Sequence, residues 1–276
     1  MIYHLCLGSN LDDPNSQLDK AIYQLSTESG ISILRKSSRI ITKPYGMLNQ
    51  PDFVNQVLEI ESNDNPQDLM ENLLYIEMSM GRLRRIKWGP RNIDIDILLA
   101  GDLVLDSRKS PLKKPWPQVI IPHPDLQNRE FILRLLNELI PDAIHPVLHK
   151  TINEIYYELE GLKMYIKTAE KHRIEFHNNP KKWRGVFENL LPYAIIFGLE
   201  KKWAKEFEDI YNEPPSWYEG DIYSFNPYLL TNSITDMNKN VNNAGGFASS
   251  HGGSGGSGFD GGSSGGGFGG GGGGSW

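Results

Sequence analysis

Residues 93–97 read Ile-Asp-Ile-Asp-Ile, and this alternation constrains the chain's structure more tightly than any other stretch. A period of two belongs to a β-strand, which turns Ile93, Ile95 and Ile97 to one face and Asp94 and Asp96 to the other. The apolar face needs a core to cover it, while the acidic face is free to grip cations. Two hard carboxylate oxygens suit Mg²⁺, which keeps several waters and completes its octahedron with substrate phosphate oxygens. Directly upstream, Arg82, Arg84, Arg85, Lys87 and Arg91 fall within ten positions of a segment that Gly89 and Pro90 mark as a loop. The guanidinium fork matches phosphate oxygens in pairs and neutralises charge on a transferring phosphoryl group. An amphipathic edge strand with a solvated acidic face explains Asp-x-Asp alone equally well. The basic loop beside it shifts the balance toward a polyphosphate held on metal ions.

A basic loop also suits nucleic acid, but that requires a field spread over a broad surface. The net charge is -6, and no basic stripe interleaved with aromatics is present, so a local phosphate site is the better account and no nucleic-acid partner is expected. No G-x-x-x-x-G-K-[ST] occurs, which excludes a P-loop and leaves phosphate binding to side chains.

The run Lys87-Trp88-Gly89-Pro90-Arg91-Asn92-Ile93-Asp94-Ile95-Asp96-Ile97-Leu98 resembles the signature of the 6-hydroxymethyl-dihydropterin pyrophosphokinases, folate-pathway enzymes that move a diphosphate from ATP to a pterin alcohol. Leu7-Gly8-Ser9-Asn10-Leu11, Thr42-Lys43-Pro44-Tyr45-Gly46, Gln50-Pro51-Asp52-Phe53-Val54-Asn55, Glu77 with Gly81-Arg82, and Ile121-Pro122-His123-Pro124 followed by Arg129 match the family pattern in the family order. The resemblance covers about residues 1–159. It implies two Mg²⁺ ions on Asp94 and Asp96, with ATP as co-substrate. Arg82, Arg84 and Arg91 would hold its phosphates, His123 and Arg129 would face the nucleotide, Ile97 would line its base, and Trp88 would close over the site. The catalytic group would be Arg82, Arg91, Asp94 and Asp96. On the pterin side, Phe53 and Phe131 would sandwich the ring, Asn55 would read its edge, and Thr42, Pro44 and Tyr45 would complete the pocket. The implied chemistry is in-line attack of the pterin hydroxymethyl oxygen on the β-phosphorus of ATP, with AMP leaving and no protein nucleophile.

The pterin assignment also makes sense residue by residue, since a flat, amide-rich heterocycle is best held by aromatic faces on its planes and amides on its edge. Phe53 and Asn55 share a strand face, and Asn55 is a polar residue among apolar neighbours; either phenylalanine taken singly reads as an ordinary core aromatic. Three features depart from the family pattern: Leu74 stands where a glutamine is common, Phe53 replaces a tyrosine seen in some members, and residues 107–119 form a long loop rich in lysine and proline. None removes a charge from the expected metal site.

Strands are expected over residues 2–7, 31–41, 53–61 and 92–99, and helices over 14–28, 66–80 and 128–139. Strand, helix, strand, strand, helix, strand is the ferredoxin-like order. The expected class is α+β, a mainly antiparallel sheet with helices on one face and the other open for substrates. Beyond residue 159, Leu162, Tyr165, Ile166, Ala169 and Phe176 recur at helical spacing, as do Ile196, Leu199, Trp203 and Phe207. Residues 160–240 are read as a helical accessory module. Tyr165-Ile166-Lys167-Thr168-Ala169-Glu170-Lys171 and the run from Leu191 through Ala204 resemble the C-terminal cytosolic part of a family of predicted bacterial membrane proteins of unknown function. A natural fusion, a segment docking an unnamed partner and a joined reading frame are all compatible with it. The apolar run 193–199 is too short to cross a bilayer. Residues 241–276, rich in Gly and Ser, are expected to be disordered. Cys6, the single cysteine, excludes an internal disulfide framework and reads as a buried structural thiol. A cytoplasmic location is expected.

Overall fold

In a computed structural model, residues 1–44, 49–82, 89–109, 117–170, 174, 180–208, 211, 214, 218 and 225–244 are described. The chain opens with strand β1 (Ile2–Ser9). Helix α1 (Pro14–Thr27) starts where the Asp13 side chain accepts from the Asn15 amide ahead of Pro14, a cap that satisfies a donor the helix leaves open. Strands β2 (Ile31–Lys36), β3 (Ile40–Thr42) and β4 (Phe53–Ser62) follow. Helix α2 (Pro66–Ser79) is capped by Asn65, which accepts from Gln67 and Asp68. Strand β5 (Asp94–Leu99) carries the aspartates, and a two-stranded ribbon, β6 (Leu105–Asp106) with β7 (Ile120–Ile121), follows.

The main sheet runs β2-β4-β1-β5, with β3 alongside β4 where β2 ends. Its pairings are antiparallel, and the fold is ferredoxin-like. One face buries Leu5, Leu7, Leu58, Ile60, Ile93, Ile95 and Ile97 against Leu18, Ala21 and Leu25 of α1 and Leu69, Leu73 and Ile76 of α2. The expected isoleucine face is therefore the sheet's contribution to that core. The opposite face is covered over part of its length by α3 (Glu130–Leu139), whose Ile132, Leu133, Leu135 and Leu136 pack with Cys6, Val57 and Leu98. The end of this face that holds Gly8, Asn55 and Asp94 lies beyond those apolar residues in the strand register.

Helix α4 (Ile152–Thr168) begins at a capping box in which Thr151 and Glu154 satisfy each other's end of the turn. Its Ile152, Ile155 and Leu159 belong to the core beneath α3, whereas Ile166 belongs to a third core. The two cores thus meet along one helix, which runs straight through position 159. The third core holds Phe187 of α5 (Pro180–Ile196) and Trp203 of α6 (Glu200–Glu206), with Phe207 and Tyr211 beyond. Phe187 lies 5.1 Å from Phe207 and 4.9 Å from Tyr211 between ring centroids, in the tilted contacts aromatic rings favour. Ile196, Leu199, Trp203 and Phe207 do not lie on one helix as their spacing suggested. Gly198 adopts a φ of +67°, Gly198 N donates to Ile195 O and Leu199 N to Ala194 O, and this closing motif ends α5. A last helix, α7 (Pro227–Ala244), lies mostly within the expected helical module and runs past residue 240, where the tail was expected to begin. The tail after 244 lies outside the described residues. Among the described residues, no helix is long and apolar enough to cross a membrane.

Leu136 is fully buried between α3 and the sheet. Leu136→Ala should lower stability by about 2–5 kcal/mol, read as a lower urea midpoint at unchanged slope.

Candidate active site

Three strands place the site. In the register of the sheet, Gly8 of β1 sits opposite Asn55 on one side and Asp94 on the other. The next row on this face is Val57, Cys6, Asp96. With strands spaced at about 4.8 Å, the Asn55 and Asp94 backbones lie about 10 Å apart across the glycine. A Cβ built on Gly8 would come within 2.8 Å of Asn55 Oδ1, so only glycine leaves the amide in place. Asn55 is buried, and its Nδ2 donates to Thr42 Oγ1 at 2.8 Å. Asn55 thus faces this end of the sheet with a fixed amide.

Asn10, just past β1, holds three segments together. Its Nδ2 donates to Gln50 Oε1 at 2.9 Å and to Pro51 O at 3.0 Å, while its Oδ1 accepts from Arg91 N at 2.9 Å. Its own amide donates to Arg91 O at 3.2 Å. Arg91, fixed in this way, pairs with Asp94 and places its guanidinium carbon 5.5 Å from the centre of the Phe53 ring, within cation–π range.

Charge is crowded behind this surface. Glu77 of α2 is almost fully buried and accepts from Ile95 N at 2.8 Å. Arg82 pairs with both Glu77 and Asp94. Burial alone would push the Asp94 carboxyl up, but the neighbouring Arg91 and Arg82 guanidiniums outweigh it and hold Asp94 below the ordinary carboxylate range. Glu77 shares Arg82 with Asp94; burial and then the Asp94 charge push it up to about 7. Asp96 is raised by burial and by Asp94, against the opposing influence of His123, Arg129 and Arg82. Among the described residues, no hydrogen-bond donor satisfies the Asp96 carboxylate. His123 Nδ1 accepts from Asp125 N at 3.2 Å, which puts the ring proton of the neutral form on Nε2. Burial lowers its pKa despite the pull of Asp96. Arg129, at the start of α3, pairs with Asp125 at 3.4 Å and lies close enough to influence both aspartates.

The residues expected from the sequence therefore meet as follows. Arg82, Arg91, Asp94, Asp96, His123 and Arg129 form one charged group, and Thr42, Phe53 and Asn55 flank it across Gly8. Pro44 is buried next to Thr42. Phe131 is half-buried against the core under α3, and no ring contact joins it to Phe53. Ile97 does not join the group. Strand alternation turns its side chain into the core with α1 and α2, so that side chain is not available to line a nucleotide base. Tyr45, Arg84 and Trp88 lie outside the described residues. Asn10 and Glu77 stand in the motifs with no role that the sequence assigns; their work is done by contacts across the fold, which no local pattern reveals.

Residues 4–141 match the family described as 7,8-dihydro-6-hydroxymethylpterin-pyrophosphokinase (HPPK). The chain belongs to that family. An Aquifex aeolicus protein named 2-amino-4-hydroxy-6-hydroxymethyldihydropteridine pyrophosphokinase is 40% identical over 151 residues, which are 55% of this chain and 88% of that one. The folic acid synthesis protein fol1 of Schizosaccharomyces pombe is 37% identical over 166 residues, 59% of this chain; the chain spans only 21% of its length. Among solved structures, a triple mutant of Plasmodium falciparum HPPK-DHPS with STZ-DHP matches at a TM-score of 0.50 and 17% identity, over 60% of this chain and 44% of that chain, a likeness of fold. Residues 132–207 also match the C-terminal domain of a predicted membrane protein family, DUF2207. The two matches overlap on residues 132–141, within and just after α3.

Glu77 gives the HPPK site a pH signature. Its folded pKa lies above the ordinary value near 4.5, so the native state binds this proton more tightly than the unfolded one. The stability it contributes is fully present below about pH 4.5 and is lost as pH rises through about 7, by about 3 kcal/mol at most. Denaturant titrations of chelator-treated protein should show Glu77→Gln flattening stability across this window relative to the parent, since the amide oxygen still accepts from Ile95. An unchanged slope would remove Glu77 as the titrating group.

Proposed function

We propose that this chain transfers the terminal diphosphate of ATP to the hydroxymethyl oxygen of 6-hydroxymethyl-7,8-dihydropterin, releasing AMP, in folate biosynthesis. The observation that carries this reading is the row Asn55, Gly8, Asp94: an amide on one side of a glycine gap and a carboxylate on the other.

Asn55 reads the edge of the pterin, with Thr42 orienting the amide and Phe53 walling the ring on one side and Phe131 on the other. Pro44, and Tyr45 outside the described residues, complete that pocket. The donor set fits Mg²⁺. Asp94 and Asp96 are hard oxygen donors on one strand face, and Asp96 lacks a hydrogen-bond partner among the described residues. An ion held by one or two carboxylates finishes its octahedron with phosphate oxygens, and the resemblance implies two such ions. Held by Asp94 and Asp96, Mg²⁺ would supply positive charge that offsets the charge of the transferring diphosphate.

Arg82 and Arg91 neutralise the same diphosphate from the protein side, joined by Arg84 from outside the described residues. Asn10 fixes the Arg91 backbone and thereby the angle of its side chain. His123, with its proton on Nε2, and Arg129 donate to the nucleotide's phosphates, and Trp88 closes over the pair of substrates. The pterin oxygen forms a bond to the β-phosphorus as the bond from that phosphorus to the AMP oxygen breaks, and the hydroxyl proton is lost to solvent; positioning and charge neutralisation lower the barrier. No protein nucleophile is needed, and Cys6 is unsuited to be one, because burial pushes its thiol far above neutrality. The proposal places this reaction in the cytoplasm. Residues 160–276 add no assignable catalytic function.

AMP should form from ATP and Mg²⁺ only when the pterin alcohol is added, one AMP per pterin diphosphate. Asp96→Asn should lower turnover by about 10²–10³-fold, a larger loss than removal of any single arginine. Turnover near the parent value in Asp96→Asn would overturn the metal assignment, and AMP released without pterin would overturn the transfer itself.

A further inference from the structure

The accessory helices reach the catalytic domain at one point that bears on the site. Helix α3 starts at Glu130, directly after Arg129, and no side chain caps its first turn. Its first-turn amides, Ile132 N and Leu133 N, donate to the Arg129 carbonyl at 3.0 and 3.1 Å, so the position of this turn is the position of Arg129. Ile132 and Leu133 seat this turn in the core, and its exposed end is tied by Lys163 of α4, whose Nζ lies 2.6 Å from Glu130 Oε2 and 3.6 Å from Glu160 Oε1. The same ammonium stands 5.9 Å from the ring centre of Phe197, in the range where a ring face attracts a cation. Phe197 follows the last turn of α5 and is set by the chain reversal at Gly198. Phe197 and Tyr193 pack against both the core under α3 and the aromatic core of the accessory helices.

We propose that the accessory module is a brace for the nucleotide side of the active site: Phe197 seats Lys163, and Lys163 holds the first turn of α3 so that Arg129 faces Asp94 and Asp96. Lys163 is thus a positioning residue, acting through Glu130 without touching substrate. The inference rests on the diphosphate-transfer reading for Arg129's role, but the contact that transmits it does not.

The test uses the full chain carrying Lys163→Ala, Lys163→Arg or Phe197→Ala, with circular dichroism to check folding. Lys163→Ala should raise KM for ATP three- to tenfold with kcat within twofold of the parent, Lys163→Arg should restore it, and Phe197→Ala should act in the same direction. Hydrogen exchange at the amides of residues 132–134 should quicken in both alanine variants. An unchanged KM for ATP in Lys163→Ala overturns the proposal, whatever exchange does. A parent chain that forms no AMP means that the transfer reading fails, and exchange then decides: faster exchange in Lys163→Ala upholds the brace, and unchanged protection overturns it. Should Phe197→Ala misfold, the partly exposed Lys163 still carries the test.

Discussion

The site depends on the missing side chain at Gly8. Three antiparallel strands bring an amide, a gap and a carboxylate into one row, and the 2.8 Å approach of a hypothetical Cβ to Asn55 shows how closely the amide fills the space above the glycine. On the proposed reading, a flat ring at Asn55 and a phosphate chain at Asp94 would be seated on strands about two spacings apart, with the substrates spanning the glycine between them.

Electrostatics explain why the row needs ligands to be at ease. Glu77, Asp94 and Asp96 share a small region in which Arg82 serves two carboxylates and Arg91 serves one. Asp94 takes the larger share of positive charge, so Glu77 is left close to neutral protonation and Asp96 is raised. On the proposed reading, cations on the aspartates would relieve that repulsion and free the arginines to meet a polyphosphate. The protein thereby holds charge ready for a ligand of alternating sign, consistent with stabilisation by preorganisation.

Much of this was legible before any coordinates. Alternation at residues 93–97 and the apolar periodicity of residues 14–28 and 66–80 are local patterns, so β5, α1 and α2 appear where periodicity places them. Contacts that join distant segments were not legible. Asn10 grips Arg91 across 81 positions and Glu77 grips Ile95 across 18; a motif shows that such residues occur together but not which atom meets which. Ile97 shows what a motif leaves open: the strand's own alternation commits its side chain to the core, so only its backbone is left to face a ligand. In the accessory part, helical spacing ran unbroken through Gly198, but the left-handed conformation there splits it into two helices, an outcome that an isolated glycine permits without requiring.

The most direct measurement is steady-state kinetics of Gly8→Ala alongside the parent. The added methyl must displace the Asn55 amide and leave Asp94 on the far side largely in place. KM for the pterin should therefore rise more than tenfold while KM for ATP moves less than threefold. Unaltered pterin affinity in a folded Gly8→Ala protein would contradict the account, since the gap between amide and carboxylate would then have no part in seating the substrate.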